Sequence, residues 1–167
     1  PKPDGIDDPS PWSEGDFAVS KAQVERNLTE FNADFSRISL YEGFFSDDLF
    51  NKLRSEVKFG KAALVLVDCD LYASTVPVLK FIRPLLANGT RLLFDDYDCF
   101  SASDDRGQRR ALREFLASER SIRAEPVRTY RGYGKTFRIE MASDSPETWS
   151  QSINAALSVC GAHFLEQ

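Results

Sequence analysis

Two apolar runs, each ending in acid and joined by one helix-length stretch, constrain this chain more than any other feature. The first, "KAALVLVDCDLY", is apolar on both faces up to Asp68. Such a run suits a strand buried inside a parallel sheet. "STVPVLKFIRPLLANG" follows with helical spacing; Ser74 or Thr75 reads as its cap, Pro77 as part of its first turn and Gly89 as its end. The second run, "TRLLFDDYD", is again apolar and delivers Asp95 and Asp96. A strand–helix–strand crossover makes the two strands parallel. Neighbouring strands lie about 5 Å apart, so Asp68, Asp95 and Asp96 are expected at one sheet edge. In open α/β sheets that carboxyl-end edge is where ligands bind.

The flanking sequence extends the alternation. "SKAQVERNLTEFN" predicts a helix with Ser20 as N-cap, Gln23 three residues on, and Val24, Leu28 and Phe31 on one face. "RISLYEG" predicts a strand ended by Gly43, and "SDDLFNKLRSEV" a helix capped by Ser46 with Asp47 and Asp48 in its first turn. "DRGQRRALREFLASE" reads as a helix whose inner face is Leu112, Phe115 and Leu116. Strands follow from Ile122 to Val127 and from Lys135 to Ala142, joined as a hairpin through Gly132 and Gly134. The tail "PETWSQSINAALSVCGAHFLEQ" reads as a helix packing Trp149, Ile153, Leu157 and Phe164. The expected fold class is α/β: an open, doubly wound, mostly parallel sheet with helices on both faces and a C-terminal antiparallel hairpin. With 167 residues this is one domain: a Pro- and Gly-rich loop over 1–16, a core over 17–142 and a tail over 143–167.

Several function classes fall away. The formal net charge is -5, which argues against general nucleic-acid binding. No apolar run reaches the length of a membrane span, and the polar, Pro-rich opening does not read as a signal peptide. The charge is uneven: residues 1–60 hold 7 basic and 12 acidic groups, residues 101–140 hold 10 basic and 6 acidic. The basic stretch, with Arg106, Arg109, Arg110 and Arg113, reads either as a solvated helix face with salt-bridged loops or as a patch for a phosphorylated partner. Cys69, Cys99 and Cys160 lack metal-finger spacing and suit a reducing cytoplasm without a disulfide framework. The one histidine, His163, comes with no nucleophile elbow, so Ser-His-Asp hydrolysis is not expected.

Three carboxylates at one edge repel one another unless a cation joins them. Oxygen-only ligands suit Mg²⁺, Mn²⁺ or Ca²⁺. A metal there would hold two substrate oxygens and lower a hydroxyl pKa. The same acids also serve as helix caps, turn residues and solubilising groups, and that reading stays open. No "GxGxxG" occurs, and "GYG" at Gly132 to Gly134 reads as hairpin chemistry. On the residues alone, a transferase and a metal-dependent hydrolase remain equally open.

The stretch from Leu64 to Phe100 resembles the macrocin O-methyltransferase family, Mg²⁺-dependent sugar O-methyltransferases of antibiotic biosynthesis. Asp68, Asp70, Leu71, Tyr72, Ser74, Thr75, Pro84, Leu85, Gly89, Asp95, Asp96 and Tyr97 match its pattern in register. "GDFAVSKAQVERNL", "LYEGFFSDDL" and "GQRRALREF" extend the likeness over roughly Trp12 to Met141. The resemblance implies a class I, Rossmann-like methyltransferase sheet that uses S-adenosylmethionine and Mg²⁺ or Mn²⁺. It implies metal ligands at Asp68, Asp95 and Asp96, Asp68 as general base, and Asp70, Tyr72 and Tyr97 near substrate or behind the ligands. Gly43 and Phe44 would remain as the adenine-side cofactor contact. The implied partner is a small hydroxylated molecule, a sugar or sugar-bearing natural product, with homo-oligomers common in the family.

Departures accompany the likeness. Cys69 stands where glycine is usual, Gly89 is single where two glycines are common, and no histidine precedes "FAVS". The family's first half, with its glycine-rich loop and ribose-binding acid, has no counterpart here. In the family, the strand matching "RISLYEG" does not sit beside the one matching "AALVLV". The chain is therefore expected to be the C-terminal portion of a larger enzyme. The alternative is a non-catalytic methyltransferase remnant or assembly domain.

Overall fold

A computed structural model describes residues 5–8, 19–142 and 162–165. Four strands form the main sheet: β2 (Leu64–Val67), β3 (Arg91–Phe94), β4 (Ile122–Tyr130) and β5 (Gly134–Met141). Their spatial order is β2-β3-β5-β4. β2 and β3 are parallel, with Val67 opposite Phe94, and β5 runs antiparallel to both β3 and β4. This is the open α/β sheet with a terminal hairpin that the sequence implies. The hairpin turns through Arg131 at φ 49° and Gly132 at φ 84°.

Alternation along the strands sends Val67, Leu92, Phe94, Ile122, Phe137 and Ile139 into one core. Three helices complete that core: α2 (Asp47–Glu56), α3 (Tyr72–Ile82) and α4 (Gly107–Ser118). Phe50 of α2 stacks on Phe81 of α3, ring centroids 4.6 Å apart. Leu112 and Phe115 of α4 are buried as the periodicity predicts. Ser46 caps α2 by accepting from the Leu49 N–H at 3.3 Å. Among the described residues nothing covers the opposite face of β2: Leu64 is 61% and Leu66 47% exposed. β2 is also an edge strand, so the burial expected on both of its faces holds on one.

α1 (Lys21–Glu30) buries none of its residues, and Phe31 beyond it is 84% exposed. Ser20 accepts from the Gln23 N–H, but the Gln23 side chain turns to Asn27 and Arg26, so only half of the capping box forms. β1 (Ser39–Glu42) stays out of the main sheet and pairs in parallel with β6 (Ala162–Leu165). Residues 162–165 are thus a strand where a helix is expected; short β-branched-poor runs carry little period information, and pairing with β1 decides the outcome. The remaining positions expected in the tail helix, Trp149, Ile153 and Leu157, lie outside the described residues, as do Trp12 and Phe17. Among the described residues, no helix is long and apolar enough to cross a membrane.

α3 also begins earlier than expected. It starts at Tyr72, and neither Ser74 nor Thr75 caps it; both are fully buried within the helix. Thr75 Oγ1 donates to the Leu71 carbonyl at 2.8 Å, and the Tyr72 N–H donates instead to Asp7 Oδ2 at 2.7 Å. Pro77 consequently falls beyond the first turn. A cap supplied from 65 residues away leaves no local signature.

Candidate metal centre

β2 ends at Val67, and the chain turns at once. The Leu71 N–H donates to the Cys69 carbonyl across Asp70, which sits at φ 49°. Aspartate tolerates that left-handed conformation better than most residues. The turn folds Asp70 back beside Asp68, while β3 delivers Asp96 from the neighbouring strand. One carboxylate oxygen each from Asp68, Asp70 and Asp96 lies within 4.8 Å of the others. Asp68 is exposed; Asp70 and Asp96 are half-buried.

Three like charges this close cannot all stay ionised without compensation. Burial pushes the Asp96 carboxyl up to about 8, assisted by a hydrogen bond with Asp70 and by the charges of Asp70, Asp68 and Asp95. A proton is thereby held at the centre of the cluster. A divalent cation would replace it, and an all-carboxylate donor set suits a hard ion. Burial, with the charges of Asp96 and Asp70, likewise drives the Cys99 thiol upward, leaving it an unreactive neighbour.

Asp95 is not in the three-carboxylate cluster; it stands beside it, facing Tyr130. Tyr130 pairs across the hairpin with Gly134, where a Cβ would come within 2.6 Å of its ring. The missing side chain lets the ring lie flat over the strand. Its hydroxyl is buried near Asp95 without a partner of full hydrogen-bond geometry among the described residues. Burial and the Asp95 charge push the Tyr130 hydroxyl up to about 12.

Tyr72 and Tyr97 are engaged by protein. The Tyr72 hydroxyl donates to Glu114 Oε2 at 2.6 Å, and Arg110 lies over its ring. Tyr97 packs between Phe94 and Phe137, with Arg109 and Lys135 over its ring. Gly43 and Phe44 follow β1, in the other sheet from Asp68; Phe44 is 56% exposed. The arginines of α4 are paired: Arg109 with Asp98 and Asp104, Arg110 with Glu114 and Arg113 with Asp105. That arrangement is a salt-bridged helix face.

Two buried residues that sequence reading passes over support the site. Gln108 accepts from the Asp96 N–H at 3.1 Å and donates to the Val67 carbonyl at 3.2 Å. Asp7 accepts from the N–H groups of Tyr72 and Gly107, each at 2.7 Å. Neither stands out in sequence, because a lone Gln on a helix and an Asp in a Pro-rich opening both read as surface.

Comparison with known proteins agrees with this geometry. The family model for macrocin-O-methyltransferase (TylF) matches residues 3–137. A 4'-O-methyltransferase of Streptomyces olivaceus, acting on 8-demethyl-8-(2,3-dimethoxy-alpha-L-rhamnosyl)-tetracenomycin-C, is 30% identical over 83 residues. That match covers 50% of this chain but only 30% of the relative. The family match spans both acid-ending strands, the helix between them and the glutamine-bearing helix beyond, so the chain belongs to the macrocin-O-methyltransferase family.

Proposed function

We propose that this chain carries the metal-binding and acceptor-binding part of an S-adenosylmethionine-dependent O-methyltransferase that acts on a hydroxyl of a sugar or sugar-bearing natural product. The observation that carries the reading is the convergence of Asp68, Asp70 and Asp96 within 4.8 Å at the carboxyl ends of two parallel strands. These three residues would hold Mg²⁺ or Mn²⁺, with Asp95 beside them. When bound, such an ion supplies charge that orients neighbouring hydroxyls and lowers their pKa. Asp68, the exposed member, would take the acceptor's hydroxyl proton as the oxygen gains the methyl group and the sulfonium loses it. Gly43 and Phe44 offer a turn and an exposed ring for the adenine of the cofactor.

Support for the acceptor class comes from the relative, whose substrate bears a rhamnosyl group. Calorimetric titration of S-adenosylmethionine into the chain, with and without Mg²⁺, tests the reading. Saturable binding, with methyl transfer to a hydroxylated acceptor lost in Asp68→Asn and Asp96→Asn, is the expected result. Full activity in either variant would sink the assigned roles.

One observation favours a second reading, a non-catalytic assembly domain: the open apolar face at Leu64 and Leu66. It predicts no cofactor affinity even when the longest natural form of the polypeptide is used.

A further inference from the structure

We propose that Asp7 is a positioning residue for the cation site: by bridging the first turns of α3 and α4 it sets the spacing of the Asp68, Asp70 and Asp96 carboxylates. The inference rests on the metal reading above and adds a residue outside the ligand set. Asp7 is fully buried, which for a carboxylate demands compensation. It has that compensation twice, Oδ2 accepting from the Tyr72 N–H and Oδ1 from the Gly107 N–H, both at 2.7 Å. The two donors begin two different helices, so both dipoles point their positive ends at one anion.

The consequence for the ligands follows the chain. Tyr72 is two residues after Asp70, so fixing its N–H fixes the turn that folds Asp70 back. Gly107 precedes Gln108, which is itself fully buried and ties the Asp96 N–H to the Val67 carbonyl, one residue before Asp68. One carboxylate therefore reaches the Asp70 turn directly and the other two ligand positions through Gln108. Gly107 permits the approach: a Cβ there would lie 2.5 Å from the Phe100 ring and 3.5 Å from the Asp70 carbonyl oxygen.

Ligand spacing matters unequally to different ions. Mg²⁺ demands near-ideal octahedral geometry at short distances, whereas Ca²⁺ tolerates longer and irregular contacts. Loosening the brace should weaken Mg²⁺ more than Ca²⁺, a difference that simple loss of stability would not produce.

The experiment titrates Mg²⁺ and Ca²⁺ separately into the full chain by calorimetry, for the wild type, Asp7→Asn and the control Ser46→Ala, with melting temperatures alongside. Ser46→Ala removes the cap of α2, which carries no ligand. The expected result is a Mg²⁺ Kd raised about 10-fold in Asp7→Asn, as for other residues that orient metal ligands, with the Ca²⁺ Kd raised less than about 3-fold. Ser46→Ala should melt lower with both constants unchanged. Equal weakening of the two ions in Asp7→Asn, or unchanged constants with a lower melting temperature, would overturn the proposal and leave Asp7 a helix cap alone. If Asp7→Asn does not fold, Asp7→Ser, which keeps one short acceptor, is read by the same ratio. A wild type that binds neither ion would defeat the metal reading itself, before any variant is made, and this proposal with it.

Discussion

At the carboxyl ends of β2 and β3, side chains from two separate parts of the chain tie down the backbone, whereas one face of β2 and the segment just after α1 present apolar side chains to solvent. The first region holds Asp7, Gln108 and Gly107, all buried, around a turn at positive φ. The second holds Leu64, Leu66, Phe31 and Phe35, all exposed. The acidic end concentrates charge, so its geometry must be over-determined to persist. The open face has the composition of a core with nothing described against it. A strand's hydrophobic pattern states which surroundings it suits; it does not supply them.

The comparison breaks most readily in the core beneath the acidic end. Leu92 is fully buried in β3, three residues before Asp95. Leu92→Ala should cost about 3 kcal/mol, within the range for leucine truncation in a packed core. Chemical denaturation checks it; a loss below about 1 kcal/mol would mean that the covered face is as loosely held as the open one. Gly107→Ala comes next, at about 2 kcal/mol, because the new methyl meets the Phe100 ring and the residue must hold φ 52°. The same variant should weaken divalent-ion binding, since the Gly107 N–H is one of the two donors to Asp7. A variant as stable as the wild type would show that the start of α4 is free to shift.

Much of the covered region is legible in the sequence. Residues 64–67 and 91–94 announce themselves as strands, and the acids that follow them converge as the parallel crossover requires. What the strand ends alone do not encode is the part played by Asp70. The spacing of strand ends points to Asp95, but the turn at Asp70 brings a different carboxylate into the cluster. Asp95 and Asp96 both follow β3 in a turn, where Asp96 joins Asp68 and Asp70 while the Asp95 charge acts on Tyr130. The braces are illegible for another reason. Asp7 and Gln108 act across 65 to 100 and 12 to 41 positions, and no local pattern encodes such separations. At β6, pairing with β1 overrides the helix expected from the tail's composition.

A further effect is expected on changing pH without metal. The Asp96 carboxyl titrates near about 8 in the fold, raised chiefly by burial, against an ordinary value of 3.8. Between those values the folded chain holds a proton that the unfolded chain has released. Stability should therefore fall as pH rises from about 4 to about 8 and level off above. Asp96→Asn removes the titrating group and should flatten that part of the profile. Adding Mg²⁺ should oppose the fall, because an ion bound only to the folded state stabilises it by mass action. A slope that survives unchanged in Asp96→Asn would assign the proton to another group. An Mg²⁺ effect equal at pH 5 and pH 8 would separate ion binding from the Asp96 proton.

The smallest expected effect lies on the open face and tests the comparison from its other side. Leu66→Thr keeps a good strand former and removes little buried area, since Leu66 is already 47% exposed. Its cost should stay within about 0.5 kcal/mol, as for ordinary surface positions. Leu66 sits directly opposite Leu93 in the register, so the pair loses one cross-strand contact and little else. Denaturation at two protein concentrations makes the measurement decisive. A loss above about 2 kcal/mol would mean that this face is covered in solution, and dependence on concentration would say that the cover is another polypeptide. Either result would turn the contrast between a braced end and an open face into one between two buried surfaces, of which only the first is closed by residues described here.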